Sequence, residues 1–187
     1  MPTLRHNIAN ILSASFTLVN LSIKKVIYPR NLYFALVERL SPGVVVDTDR
    51  ESIIRLGKHV SMHSRCRVAS KCGGELTIGD RVSFNVGCIV TCRKKITIGK
   101  NVSFGPNVMV YDHDHIMEKD IGAKGSLFNL GEITIGDNSW IGAGSIILLG
   151  TSIGQNCVIA AGSVVKGNIP DNTILIQKRV NTLKGLE

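Results

Sequence analysis

The feature that most constrains this chain is a period of six. An aliphatic residue stands at position i, often with Gly at i+1; Gly or Asn stands at i+3, and a small or β-branched residue at i+4. Ile98-Gly99-Lys100-Asn101-Val102-Ser103 is one such unit and Phe104-Gly105-Pro106-Asn107-Val108-Met109 is the next. The pattern returns at Ile135, Ile141, Ile147, Ile153 and Ile159. A fixed period dictates architecture before any single residue is interpreted, because a unit that cannot bury its own apolar side must be covered by the units stacked on it. Short strands alternate side chains in and out. A chain that turns sharply after each strand needs residues that tolerate positive φ at the corner, as Gly and Asn do. Asn101, Asn107, Asn138 and Asn156 hold the i+3 position, as do Gly87, Gly144, Gly150 and Gly162.

Three hexads make one triangular coil of 18 residues, and Ile135 to Ile153 is one such step. Leu56 to Ile78 takes 22 residues and Ile78 to Ile98 takes 20, small excesses that read as corner bulges. Ile98 to Ile135 takes 37, so a loop of about residues 111–130 interrupts the wall. The reading is an all-β parallel β-helix over residues 46–170. A partly helical segment, 1–45, precedes it and an extension, 171–187, follows it. Leu32 to Leu40 reads as a helix with Leu32, Leu36, Val37 and Leu40 on one face, ended by Pro42 and Gly43. Ser and Thr at i+4 point inward and need backbone partners there. Repetition alone leaves the hand of the coil open.

A length of 187 residues suits one domain with a small appendage. The net charge of +8 suggests an anionic partner, and nucleic acid, acidic lipid and phosphorylated cofactors all qualify. Aromatic residues are few and none interleaves with the charges, so no nucleic acid partner is expected. Cys66, Cys88 and Cys157 fall at i+4 and read as small reduced core residues; Cys72 and Cys92 lie off that register. The apolar stretch Ile8 to Ile23 carries Asn10, Ser13, Ser15, Thr17, Asn20 and Ser22, too short and too polar for a membrane span. Packing against the main domain is favoured for it. Adsorption to a membrane surface, with Lys24, Lys25 and Arg30 following, is the second reading. A cytoplasmic location is expected.

From Ile135 the chain reads IGDNSWIGAGSIILLGTSIGQNCVIAAGSVVKGNIP. This resembles the left-handed parallel β-helix acyltransferases of the hexapeptide-repeat superfamily. The branch it is most similar to holds the maltose, galactoside and nodulation-factor O-acetyltransferases and the enzymes that acetylate surface polysaccharides. The resemblance covers about residues 55–170 and implies a left-handed coil and a homotrimer with active sites between subunits. It also implies acetyl-CoA as co-substrate and a carbohydrate or nucleotide-sugar acceptor, with surface polysaccharide biosynthesis as the setting. Members carry a catalytic His at the head of the inserted loop, here within Val110-Tyr111-Asp112-His113-Asp114-His115. The resemblance puts that role on His115, with His113 as the alternative. It suggests Asn85 and Tyr111 on the acceptor side, and Trp140 as the tryptophan that follows the loop. Where members end in a Gly-x-Pro-Ala-Lys-like segment, this chain has Ile174-Leu175-Ile176-Gln177-Lys178-Arg179.

Acyl transfer from a thioester to a hydroxyl needs a base near neutral pKa, which histidine supplies. The base removes the acceptor proton as oxygen attacks the carbonyl and returns a proton to the departing thiolate. Asp112 or Asp114 would orient its ring. A backbone N–H beside Gly142 or Gly144 would face the thioester oxygen. Trp140 would stack on pantetheine or sugar, and Lys166, Lys178 and Arg179 would meet the coenzyme phosphates. Three other readings stand beside this one: serine O-acetylation or amino-sugar N-acylation on a similar coil, a non-catalytic β-helix serving as an assembly subunit, and a zinc site. The zinc site would draw on Asp112, His113, Asp114 and His115 with His59 or His63. Two of its four candidate His are nearly adjacent, which suits a dispersed three-His site poorly, so no metal is assigned.

Overall fold

The computed structural model describes residues 15, 19–35, 39–119, 122–178 and 184. Strands stack in parallel on three faces of a triangular prism. The first face runs from Leu32–Tyr33 through Ile53–Leu56, Glu75–Ile78, Lys95–Ile98, Ile133–Ile135 and Ser152–Ile153 to Asn168–Ile169. The second runs from Arg39–Leu40 through Ser61–Met62, Ser83–Phe84, Ser103–Phe104, Trp140–Ile141 and Val158–Ile159 to Ile174–Leu175. The third runs from Val45–Thr48 through Arg67–Ser70, Ile89–Cys92, Met109–Tyr111 and Ile146–Ile147 to Val164–Val165. This is the left-handed parallel β-helix, with a short helix at its N-terminal end.

The coil lengths read from the hexads are the stacking register. Leu56 pairs with Ile78, Ile78 with Ile98, Ile98 with Ile135, Ile135 with Ile153 and Ile153 with Ile169. Aliphatic side chains thus form files down the inside of the prism, with Phe84 and Phe104 stacked at 4.5 Å among them. The small i+4 residues are buried, and their hydroxyls find carbonyls. Ser139 Oγ donates to Gly154 O (2.9 Å), Ser145 Oγ to Ala160 O (3.1 Å), and Thr151 Oγ1 to Val165 O (3.1 Å). Cys66, Cys88 and Cys157 are buried at this position as free thiols, as is Cys92 on the third face; Cys72 is exposed.

At the corners Asn101, Asn107, Asn138 and Asn156 have φ between 55° and 58°. Their side chains add a ladder: Asn101 Nδ2 donates to Asn138 Oδ1 (2.8 Å), and Asn156 Nδ2 to Asn172 Oδ1 (3.0 Å). Asparagine therefore serves twice, by accepting the left-handed conformation and by bonding the next coil.

Two stretches of the N-terminal segment differ from the sequence reading. Leu32 and Leu40 lie on strands, not on one helix; Leu36 and Val37 fall outside the described residues. Leu32 pairs with Ile54 and Leu40 with Met62, each 22 residues on, so the first coil begins at Leu32. An eight-residue separation suits two turns of helix as well as two inward strand positions, and stacking on the next coil decides for the strands. The helix lies earlier, over 19–27, and sends Leu21 into the core. No helix among the described residues is long and apolar enough to cross a membrane.

At the corner after the first face, coils approach so closely that Gly at i+1 is a packing requirement. A Cβ on Gly136 would stand 2.5 Å from the backbone N of Gln155 and 2.5 Å from the carbonyl carbon of Gly154. Gly150 is different: its φ is +77° but the space around it is open. Gly136→Ala is therefore expected to cost about 2–3 kcal/mol by overpacking, and Gly150→Ala about 1 kcal/mol for left-handed strain. Urea unfolding of both variants measures the difference. Equal losses would contradict backbone stacking as the reason for the i+1 glycines.

Candidate active site

The interruption in the wall is an antiparallel hairpin, His113–Glu118 with Gly122–Leu130, whose register pairs His113 with Leu130 and His115 with Phe128. Gly131 N donates to Asp112 O (2.9 Å) and closes its base. The hairpin leaves at the corner between the third and first faces. The in–out alternation of the preceding strand continues into it: Val108 and Val110 are buried, and so is Asp112.

Asp112 is fully buried, and its charge is met from several directions. Arg93 N–H donates to both carboxylate oxygens (2.8 and 3.0 Å), and Lys94 N–H donates to Oδ2 (2.7 Å). His113 Nδ1 lies 3.0 Å from Oδ1. A carboxylate already accepting these bonds can only accept from the ring. The network therefore assigns the proton to Nδ1 and the lone pair to Nε2. The ring is held edge-on to Tyr111 (6.1 Å) and Phe128 (5.4 Å). His115 has no such partner among the described residues. Its ring leans on Phe128 at 4.6 Å, and its backbone N–H donates to Asp114 Oδ1 (2.8 Å). Asp112 is thus the aspartate that touches an imidazole, and the imidazole it touches is that of His113.

One cleft gathers Tyr111, His113, Asp114, His115, Leu148, Leu149 and Lys166. A second holds Asn85 and Trp140 with His63, Gly105 and Pro106. The two clefts sit at opposite corners of the third face, so one chain does not bring Asn85 and Trp140 to His113 and His115. Gly142 and Gly144 have coil roles of their own. The Gly142 N–H donates to Ile159 O (2.8 Å) and the Gly144 N–H to Pro106 O (2.8 Å). Both amides are thus taken up by the coil ladder; Ala143, between them, is exposed. Lys178 is exposed beyond the last coil, and Arg179 lies outside the described residues. His59 is exposed at a left-handed corner (φ 61°), and His63 belongs to the second cleft. Among the described residues no three His, Cys, Asp or Glu side chains gather in a metal-binding group.

Arg93 escaped the sequence reading, and Cys92 had no role in it. The Arg93 guanidinium lies over the Phe128 ring at 3.9 Å, with Nη1 3.2 Å from Cys72 Sγ. It pins the hairpin to the coil below. Its link to residue 112 follows only from counting one coil length forward. Cys92 lies beneath this corner, and burial, followed by the charge of Asp112, pushes its thiol up to about 12. It stays neutral, so no thiolate competes with the imidazole near neutral pH.

A family model, the hexapeptide repeat of succinyl-transferase, matches residues 132–166. The match is confined to that stretch, so it shows a hexapeptide-repeat segment there, and the stacked prism shows the β-helix fold. It is 33% identical over 115 residues to a galactoside O-acetyltransferase of Lactococcus lactis, covering 58% of this chain and 55% of the relative. It is 35% identical over 102 residues to the galactoside O-acetyltransferase of Escherichia coli, covering 54% and 50%. The chain therefore spans about half the length of these curated relatives. Its fold is similar to that of a serine-to-cysteine mutant of AntD, an N-acyltransferase from Bacillus cereus, crystallised with dTDP-4-amino-4,6-dideoxyglucose and coenzyme A. The TM-score is 0.69 at 18% identity, over 90% of this chain and 89% of that one.

Asp112→Ala would strand the Arg93 and Lys94 N–H groups and is expected to cost about 3 kcal/mol. Asp114→Ala, on the exposed side, is expected to change stability by less than about 0.5 kcal/mol. Urea unfolding tests both, and faster amide exchange at Lys94 in the Asp112 variant alone would locate the effect.

Proposed function

We propose that this chain transfers an acyl group from acyl-coenzyme A to a sugar, with His113 as general base. The observation that carries the proposal is the buried Asp112 carboxylate against His113 Nδ1 at the cleft. Asp112 holds the ring and stabilises the imidazolium formed when Nε2 takes the acceptor proton. The acceptor oxygen or nitrogen attacks the thioester carbon, and the imidazolium then returns the proton to the leaving sulfur. Direct attack needs no acyl-enzyme. His115 shares the cleft without a carboxylate partner, so the base moves from His115 to its alternative. Tyr111 and Lys166 line the same cleft and are suited to acceptor hydroxyls and to phosphate, respectively.

The acceptor class is broader than the polysaccharide hydroxyl expected from the sequence. The galactoside relatives are O-acetyltransferases, whereas AntD, matched over nearly its whole length, is an N-acyltransferase that binds a nucleotide-linked amino sugar. Amino-sugar N-acylation therefore has the better support, with a nucleotide sugar as acceptor. The third face supports a homotrimer: with Asn85 and Trp140 at one corner and His113 at the other, a neighbouring copy can complete the site. Ala143, exposed beside Trp140, is suited to give its N–H to the thioester oxygen.

His113→Ala is expected to lower kcat by about 10²- to 10⁴-fold with little change in KM for acetyl-CoA, and His115→Ala by far less. The assay is hydrolysis-corrected thiol release against nucleotide amino sugars, neutral nucleotide sugars, free sugars and serine. Mixed oligomers of His113→Ala and Asn85→Ala chains are expected to regain activity that neither variant has alone. Full activity in His113→Ala would remove the base assignment. A stoichiometric zinc requirement would favour the zinc-site reading, and absence of coenzyme binding would favour an assembly subunit.

A further inference from the structure

The N-terminal helix, 19–27, carries a ridge that the prism does not use. Leu21 points into the core, and the opposite side presents Val19, Ile23, Val26 and Ile27, which are 60%, 55%, 81% and 58% exposed. At about 100° per residue these four fall on one side of the cylinder. The sequence carries the same spacing back through Phe16, Leu12 and Ile8. An apolar helix face of this size turned to water needs an explanation.

The charge around it identifies the occupant. No Asp or Glu occurs between Met1 and Val37, where Arg5, Lys24, Lys25 and Arg30 supply four positive charges. Half of the net charge of +8 thus sits in the first fifth of the chain. Lys25 is tied down, donating to Pro29 O and Leu32 O (2.7 Å each) and lying over the Tyr33 ring at 4.6 Å. Among the described residues neither Lys24 nor Arg30 has an acidic partner. A convex apolar ridge flanked by unpaired cations, on a segment without acids, matches a flat anionic surface with an apolar interior. A protein groove would need concave walls and acidic rims to match it.

We infer that this helix docks the protein on an anionic lipid bilayer, with the apolar ridge sunk to the acyl boundary and Lys24 and Arg30 at the headgroups. The inference does not depend on acyl transfer, and its readout is not activity. The test is sedimentation of the full chain with phosphatidylcholine vesicles, with and without phosphatidylglycerol. Binding is expected only with the anionic lipid and is expected to weaken with added salt. Val26→Asp, at the most exposed position and away from the core, is expected to weaken binding at least about tenfold. Lys24→Glu with Arg30→Glu is expected to weaken it by a similar factor. Unchanged circular dichroism and unfolding midpoint would show that the fold of these variants is intact. The inference is overturned if wild type binds neither vesicle or if folded variants bind as wild type does. It is equally overturned if Val26→Asp changes the oligomeric mass by light scattering while wild type ignores lipid, which would make the ridge a contact between copies.

Discussion

Everything in this molecule hangs on the ladder that joins each coil to the next. The N–H of Gly79 bonds Ile98 O, that of Gly99 bonds Ile135 O and that of Gly136 bonds Ile153 O, all at 2.8 Å. At the corner after the first face these bonds hold the coils at backbone contact, which excludes a side chain at Gly57, Gly79, Gly99, Gly136 and Gly154. They also require each coil to offer a carbonyl wherever the coil before it offers an amide. A stack of this kind tolerates insertions only where the unmatched amides find another acceptor.

That requirement accounts for the aspartates. Asp80 Oδ1 accepts from Lys58 N (2.7 Å), Asp137 Oδ1 from Lys100 N (2.9 Å) and Asp171 Oδ1 from Gln155 N (3.0 Å). In each pair the carboxylate of one coil caps a corner amide of the coil before it. At the corner where the hairpin leaves, Asp49 takes the Cys72 N–H (2.8 Å) and Asp112 takes those of Arg93 and Lys94. Asp112 is the same device at the point where the chain departs, with one oxygen also against an imidazole. The structural role of Asp112 is the primary one. A carboxylate needed to close the ladder is already held in place, so a histidine beside it acquires an oriented ring without further machinery.

This explains which parts were legible in the sequence. The coil was, because Ile at i and Gly at i+1 are imposed by stacking, and Leu56, Ile78, Ile98, Ile135 and Ile153 fall into register one under another. The first coil was not. Leu32 and Leu40 have no hexads around them, and their spacing fits a helix as well as a prism. The choice between Asp112 and Asp114 was available in principle, since Val108, Val110 and Asp112 alternate inward. Read across the break, that alternation makes Asp112 the buried acid and puts His113 next to it. The Arg93–Phe128 contact was not legible, because it joins a coil corner to a hairpin whose path no periodicity describes.

The two clefts place a further constraint on any chemistry here. His113 and Lys166 lie where the third face is left, and Asn85 and Trp140 where it is entered. Within one chain a ligand touching both sets would have to cross the whole face, whereas a threefold arrangement turns one copy's entry corner toward the next copy's exit corner. His113 would then come from one chain and Trp140 from another. Substrate positioning would depend on the geometry between copies as much as on either cleft. A prism stiffened by backbone contact along its length suits that task, because a base built on it moves only with the wall that carries it.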